Sequence, residues 1–156
     1  VPMLGNNPTF APTLMENEQV VQALANFYVI TPVASMSNES EFIAELTKKY
    51  QERFQDPPFD AVLLGYAYGM AWQQILEQAC DDGDMTRDGL LAAREKLTEV
   101  DTQGLTGVMD FSQIGSPSTR QVYIAQADPA GVSGTKDITE LYESDQAKEY
   151  KAPFQK

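Results

Sequence analysis

The side chains that most often carry out chemistry in enzymes are scarce in this sequence. It contains no histidine among its 156 residues, which excludes Ser-His-Asp catalysis, Cys-His catalysis and His-ligated zinc within this chain. The single cysteine, Cys80, cannot form an internal disulfide. Aspartates follow it at 81, 82 and 84 and disfavour a thiolate nucleophile, so we expect a buried or half-buried, inert thiol.

The acidic residues offer no recognisable catalytic or metal site either. The Asp-Asp-Gly-Asp run at 81–84 lacks the twelve-residue ligand spacing and the closing glutamate of a calcium loop, so we interpret it as a solvated helix end. Asp110 has no partner carboxylate or nucleophile beside it in the sequence. An enzyme that used carboxylates alone would need two acids that face each other in a pocket and have raised pKa values. We therefore predict no catalytic residue, no metal ligand and no cofactor.

Net charge and hydropathy argue against two classes of partner. Eleven Lys and Arg residues against 23 Asp and Glu residues give a net charge of −12 and a pI of about 4.2. A nucleic-acid-binding domain normally has the opposite sign because it displaces counterions from phosphates, and an anionic membrane surface is disfavoured for the same reason. No apolar run reaches the roughly 18 residues of a membrane span. No signal peptide is recognisable in this chain.

Hydrophobic periodicity predicts strands that alternate with helices. The β-branched and aromatic residues at 27–31 indicate a strand that Pro32 ends, and the polar run at 37–41 indicates the start of a helix. The pattern from 59 to 79 is apolar almost all round in its first half, which is typical of a helix buried on several sides. The predicted strands are 1–4, 27–31, 108–111 and 121–125, and the predicted helices are 13–27, 37–54, 59–79 and 90–97.

The order of these elements indicates an α/β fold from which a part is missing. Strands that alternate with helices predict an α/β architecture with a largely parallel sheet. One strand–helix–strand unit comes first, then three helices without a strand between them, and then two strands. Such an order does not make a self-contained parallel sheet. Residues 136–156 contain few apolar side chains, and we expect them to form a loosely docked tail.

Short segments distributed along the chain carry a family resemblance. They are VPMLG at 1–5, FIAELTKKYQERFQDPP at 42–58, LGYAYGMA at 64–71, ILEQA at 75–79, MTRDGLLAA at 85–93, GLTGVMDF at 104–111 and QVYIAQ at 121–126. In order and spacing they resemble extracytoplasmic solute-binding proteins that serve ABC importers, of the branched-chain amino acid (Leu/Ile/Val)-binding type. The resemblance covers about residues 1–130 and corresponds to the C-terminal part of the family. The aspartate of the family's Tyr-Asp-Ala helix is replaced here by Ala67.

The resemblance implies a partial type 1 periplasmic-binding-protein fold. Strand–helix units of the C-terminal lobe would lie at 1–31 and 105–135, and a mainly helical block of the N-terminal lobe would lie at 32–104. It further implies solute binding by cleft closure, without catalysis, and delivery to an ABC permease. The parent protein would be extracytoplasmic, either periplasmic or a cell-surface lipoprotein.

The resemblance also implies where a solute would bind. The loop Asn6-Asn7-Pro8 follows the first strand and would point into the cleft, while Tyr66 would contribute from the long helix of the other lobe. In amino acid binders of the family an acidic residue of this loop pairs with the ligand ammonium, and the matching position here is Asn7. An amide can hydrogen-bond a solute but cannot neutralise a buried cation. Among amino acids and related organic acids or amides, a neutral or anionic solute is therefore favoured.

Other interpretations of the same residues stay open. The types of Asn6, Asn7 and Pro8 are also those of an ordinary turn, and Tyr66 is typical of a packed aromatic. A ligand-sensing receptor or regulator domain with this fold would have the same sequence features, and a carboxylate-only hydrolase is a weaker alternative. Because the helical block lacks the sheet that it normally covers, it should expose apolar surface. We expect self-association or a retained N-terminal fragment to bury that surface.

Overall fold

Four strands form one open sheet in the computed structural model, which describes residues 1–56 and 58–155. In their order across the sheet, the strands are β1 (Met3–Asn6), β2 (Phe27–Thr31), β3 (Tyr123–Ala127) and β4 (Thr135–Asp137). β1 and β2 are parallel, with Met3 opposite Phe27, whereas the other two pairs are antiparallel. The α/β class is as predicted, but the expectation of a largely parallel sheet is wrong: β3 runs antiparallel to both of its neighbours, and the loop from β3 to β4 is too short for a parallel crossover.

Local sequence explains where the first two strands begin. β2 occupies the β-branched and aromatic run, as predicted. β1 begins two residues later than predicted because Pro2 has no N–H for the ladder, and the N–H of Met3 donates to the carbonyl of Asn26 at 2.9 Å. On β2, Val29 is buried while Ile30 is 42% exposed. Since successive side chains of a strand alternate between faces, one face of the sheet is covered and the other is open.

The α-helices are α1 (Glu18–Ala23), α2 (Glu41–Arg53), α3 (Ala61–Asp81), α4 (Arg87–Lys96) and α5 (Asp145–Glu149). In the middle of the chain the helices follow the predicted pattern. Ser40 precedes α2, and Thr86 precedes α4, where its hydroxyl accepts a hydrogen bond from the N–H of Gly89 at 3.1 Å. The predicted helix at 13–27 is instead a short 3-10 helix followed by α1, which the Asn17 side chain caps.

Two segments in the C-terminal third differ from expectation. The predicted strand at 108–111 is reduced to a single bridge between Val100 and Met109. Conversely, the segment 136–156, expected to be a loosely docked tail, begins within β4, and Tyr142 exchanges main-chain hydrogen bonds of 2.8 and 2.9 Å with Val122. Main-chain hydrogen bonds form between backbone groups whatever the side chains are. The scarcity of apolar residues at 136–156 therefore did not indicate that this segment pairs with the rest of the protein.

One hydrophobic core connects the sheet to the helices through residues 32–38, which we call the crossing segment because they link β2 to α2. Val33 and Ala34 of this segment are fully buried although no helix or strand contains them. The N–H of Ala34 donates to the carbonyl of Leu105 at 2.9 Å. The crossing segment is therefore a fixed, interior connection. The buried members of this core are Val33, Ala34, Met36, Ile43, Leu63, Ala67, Leu105 and Tyr123.

Candidate functional site

The predicted solute loop lies at the carboxyl end of β1, where the chain turns away from the sheet. Asn6 is the last residue of β1, and Asn7, which is half-buried, begins a short 3-10 helix with the exposed Pro8. The hydroxyl of Thr9 donates a 2.6 Å hydrogen bond to the carbonyl of Asn6 and stabilises the turn. Among the described residues neither asparagine side chain has a hydrogen-bond partner.

Tyr66 lies on α3 and contacts α2. Its side chain is 47% exposed, and its ring packs edge-to-face on Phe42 with 6.2 Å between the centroids. It lines a mainly apolar cavity of about 290 Å³ between the two helices, to which Lys49 and Arg53 contribute positive charge. The described residues that line this cavity do not include the loop at 6–8. This cavity therefore does not join the two predicted groups of ligand-binding residues.

A polar cluster at the crossing segment was missed by sequence reasoning. Its members come from three places far apart in the chain: the crossing segment itself, the residue before α3, and the chain leading into and forming β4. Polar groups at such depth require partners, because an unpaired buried donor or acceptor costs free energy. The polar cluster consists of Ser35, Asn38, Asp60, Ser133, Thr135 and Asp137.

Asp60 occupies the position before α3 where a helix cap is expected, but its side chain accepts no hydrogen bond from its own helix. It accepts one from the main-chain N–H of Met36 at 3.0 Å and one from the hydroxyl of Thr135 at 3.1 Å. The hydroxyl of Ser133 is a third donor to this carboxyl. These bonds connect the start of α3 both to the crossing segment and to the chain that enters β4.

Asp137, the last residue of β4, binds the same crossing segment. Its two carboxyl oxygens lie 3.1 and 3.2 Å from the main-chain nitrogen of Ser35, which donates to them, and the side-chain amide of Asn38 donates at 2.7 Å. The main-chain amides of two consecutive residues, Ser35 and Met36, are thus each bonded to a different aspartate. The two aspartates together fix the path of the crossing segment.

The two aspartates are partly shielded from solvent, and this shielding governs their electrostatics. Burial raises the pKa of Asp60, and the hydrogen bonds from Ser133, Met36 and Thr135 offset part of the rise. Burial likewise raises the pKa of Asp137, the hydrogen bonds from Asn38 and Ser35 lower it, and the nearby charge of Asp60 raises it further. The pair is therefore stabilised by neutral donors, and the charge of Asp60 makes ionisation of Asp137 less favourable.

Two acids with raised pKa values are also what a carboxylate-only enzyme would need. One of them, Asp137, is accessible from a cleft of about 650 Å³, which is also lined by residues 37–39, Tyr123 and 138–141. The described hydrogen bonds indicate a structural role. The donors to both carboxyls are main-chain amides, hydroxyls and the Asn38 amide, and they join three segments of the chain. Ser133, the hydroxyl donor to Asp60, is only 2% exposed and is out of reach of a substrate.

The remaining candidate residues show no arrangement that would support catalysis. Cys80 is exposed, contrary to expectation, because α3 turns this position toward solvent instead of toward the core. Within residues 1–56 and 58–155, no group of three or more His, Cys, Asp or Glu side chains is placed to hold a metal ion. The same residues include no helix that is both long and apolar enough to cross a membrane.

Comparison with known proteins identifies the fold. No protein-family model and no curated protein matches the sequence. Among solved structures, the chain is similar to the fatty acid ABC transporter substrate-binding protein from Thermomonospora curvata, with 32% sequence identity and a TM-score of 0.87. The match covers 98% of this chain and 39% of that chain, so this chain spans about two-fifths of the length of the protein it matches. The chain therefore has the fold of part of a substrate-binding protein of an ABC transporter, as the sequence predicted.

Proposed function

We propose that this chain is part of a solute-binding protein that delivers a small molecule to an ABC permease. The observation that supports the proposal is the TM-score of 0.87 at 32% identity, over 98% of this chain, to a protein described as an ABC transporter substrate-binding protein. In this proposal the parent protein is extracytoplasmic and not an enzyme. It works by closing two lobes over its solute.

The proposed lobes are joined through the crossing segment. Residues 1–31 and 105–135 belong to one lobe, and residues 32–104 belong to the other. Two-lobed proteins close about a few residues that absorb the change in backbone angles. The N–H of Met36 donates to Asp60 and the N–H of Ser35 donates to Asp137. These bonds support the proposal because they define the path of the crossing segment where it joins the two proposed lobes.

The proposed solute is a carboxylic acid or amide of about the size of a branched-chain amino acid, without a free amino group. The loop residues Asn6, Asn7 and Pro8 contact it, and Tyr66 contributes from the other lobe. A buried ammonium left without a counter-charge costs several kcal/mol, and about 1.4 kcal/mol is a tenfold change in affinity. The similar solved structure is a fatty acid ABC transporter substrate-binding protein. A fatty acid, like the proposed solute, has a carboxylate and no ammonium.

The experiment is isothermal calorimetry on the full-length parent protein with leucine and with 4-methylpentanoate, its analogue without the amino group. We expect the wild type to prefer 4-methylpentanoate and Asn7→Asp to shift the preference toward leucine by tenfold or more, as about 1.4 kcal/mol or more of recovered ion pairing would give. Asn26→Asp is the matched control: it makes the same charge change in an exposed turn before β2. Tight leucine binding that Asn7→Ala leaves unchanged would contradict the proposed solute.

A further inference from the structure

Asp60 stands at the start of α3 without capping that helix. An aspartate in this position usually accepts a hydrogen bond from the first turn of its helix, and this bond stabilises the helix. The side chain of Asp60 makes no such bond. Partial burial also disfavours its ionised form, and among the described residues no cation compensates for this. A residue that breaks local rules of stability in this way often has a task elsewhere in the molecule.

The hydrogen-bond partners of Asp60 come from both proposed lobes. We call these lobes the helical lobe, residues 32–104, and the sheet lobe, residues 1–31 and 105–135. Met36, which donates its N–H at 3.0 Å, belongs to the helical lobe, as Asp60 itself does. Ser133 and Thr135, which donate their hydroxyls, belong to the sheet lobe and are buried, which strengthens such bonds. The carboxyl of Asp60 thus connects the start of α3 directly to the sheet lobe.

The loop between β3 and β4, residues 128–134, packs closely against the crossing segment beside these bonds. The N–H of Val132 in this loop donates to the hydroxyl of Ser37 at 2.8 Å. A Cβ at Gly131 would lie 3.0 Å from the same hydroxyl oxygen and would collide with the carbonyl of Thr135, so glycine permits the close approach. A change of the angle between the lobes at this point must therefore break hydrogen bonds and close contacts.

We propose that Asp60 is a positioning residue that holds the helical lobe at a defined angle to the sheet lobe and thereby raises the affinity for the solute. The inference rests on the proposed function, in which the two lobes close over a small molecule. Tyr66 lies within two turns of Asp60 on α3, and the loop at 6–8 ends β1 in the sheet lobe. Fixing the start of α3 on the sheet lobe therefore fixes one proposed ligand-binding group relative to the other.

The expected gain in affinity comes from preorganisation. A protein whose lobes already have nearly the binding angle loses less conformational freedom when it closes on its solute. When the fraction of molecules with that angle falls, the apparent affinity falls in the same proportion. Loss of the Asp60 bonds should therefore weaken solute binding although no group that touches the solute has changed.

The first test is calorimetry on the full-length parent protein with 4-methylpentanoate as the probe. We expect Asp60→Ala and Ser133→Ala each to raise the Kd about fivefold or more, as a fall of the binding-competent fraction to about a fifth would give. The double variant should bind no more weakly than Asp60→Ala alone, because both changes remove the same connection. Asp60→Asn should retain most of the affinity, because its amide can accept from Met36 and donate to the hydroxyls.

Thr47→Val is the matched control for a loss of stability. The buried hydroxyl of Thr47 donates to the carbonyl of Met36 at 3.3 Å, so this variant removes a buried hydrogen bond at the same crossing segment. Both of its partners belong to the helical lobe. We therefore expect Thr47→Val to lower the Tm of the parent protein and to leave the Kd unchanged.

The second test measures the angle between the lobes without any solute. Nitroxide labels are attached to the native Cys80 at the end of α3 and to Gln19→Cys on α1, two exposed positions in different proposed lobes. We expect electron–electron distance measurements on the solute-free parent protein to give a broader distribution for Asp60→Ala than for the wild type. The distribution for Thr47→Val should match that of the wild type.

Each alternative outcome is distinguishable. A Kd and a distance distribution that Asp60→Ala leaves unchanged would overturn the proposal, because Asp60 would then contribute to stability alone. Tighter binding by Asp60→Ala would overturn it as well, because the bonds would then hold the lobes away from the binding angle. A wild type that does not bind 4-methylpentanoate would contradict the proposed solute, while the label distances would still decide the role of Asp60.

Discussion

At the scale of single residues, the most informative groups are the aspartates of the polar cluster. Three exposed acids, Glu45, Asp82 and Asp84, have lowered pKa values because a cation or a hydroxyl hydrogen-bonds to each of them, as Lys49 does to Glu45. Asp60 and Asp137 differ because burial is the largest cause of their shift and no cation compensates it among the described residues. Their donors are neutral, so protonation relieves a cost that the folded structure imposes.

We predict an unusual pH dependence at these two positions. The folded-state pKa of each lies above the ordinary value of 3.8, so the folded protein binds these protons more readily than the unfolded chain. The resulting stabilisation is complete below pH 3.8 and is lost as pH rises through the raised pKa. In thermal melts between pH 3 and 7, the Tm of the wild type minus that of Asp60→Asn should fall as the pH rises.

Asp84 supplies a control of opposite sign. The hydrogen bonds from Thr86 hold its pKa below 3.8, so its contribution is present above that pH and is lost as pH falls through the lowered pKa. The Tm difference between the wild type and Asp84→Asn should therefore increase with pH. Slopes of the same sign for Asp60→Asn and Asp84→Asn would show that burial does not govern Asp60.

At the scale of elements, the helices differ in how their first turns are capped. The Thr86 hydroxyl accepts the N–H of Gly89 at the start of α4, whereas Ser40 makes no side-chain cap bond at the start of α2. The start of α2 is instead positioned by the side-chain oxygen of Asn38, which accepts the N–H of Ser40 at 2.9 Å. Two hydroxyl residues in equivalent positions thus contribute differently to stability.

We predict that Thr86→Ala lowers the free energy of unfolding by about 1 kcal/mol, which corresponds to a fall in Tm of about 2–4 °C. Ser40→Ala, the matched substitution, should change the free energy of unfolding by less than about 0.5 kcal/mol, because no side-chain cap bond is lost. Urea unfolding followed by circular dichroism measures both. A larger loss for Ser40→Ala than for Thr86→Ala would contradict the capping assignment.

At the scale of the whole molecule, apolar surface and net charge act against each other. Tyr68, Trp72 and Leu76 are exposed on one face of α3, and Leu4 and Ile30 are exposed on the open face of the sheet. Apolar surfaces of this kind promote association, whereas a net charge of −12 opposes it at neutral pH. The solubility of the chain therefore depends on its charge.

We predict that the 156-residue chain associates more strongly as the pH approaches its pI of about 4.2. Sedimentation velocity at pH 7 and at pH values near the pI measures this, and the sedimentation coefficient should rise toward the pI. Trp72→Gln should weaken the association, because Trp72 is 56% exposed on the same face of α3 as Tyr68 and Leu76. The exposed Phe154→Gln, near the C-terminus, is the control, and an equal effect of both variants would contradict a role for this face of α3.

The sequence by itself determined the features that depend on neighbours in the chain. Three such features are the β-branched run that forms β2, the periodic pattern of α3 and the Thr86 cap of α4. The order of the short family-like segments predicted the partial solute-binding fold.

Only the tertiary structure decided the pairing of β3 with β2 and β4, and the composition of the polar cluster. Asp137 meets Ser35 across 102 positions of the chain, and Asp60 meets Thr135 across 75. No local pattern encodes such pairs, so the sequence did not single out Asp60, and it placed residues 136–137 at the start of a polar tail. These contacts form because folding buries the crossing segment, whose main-chain amides must then find acceptors inside the protein.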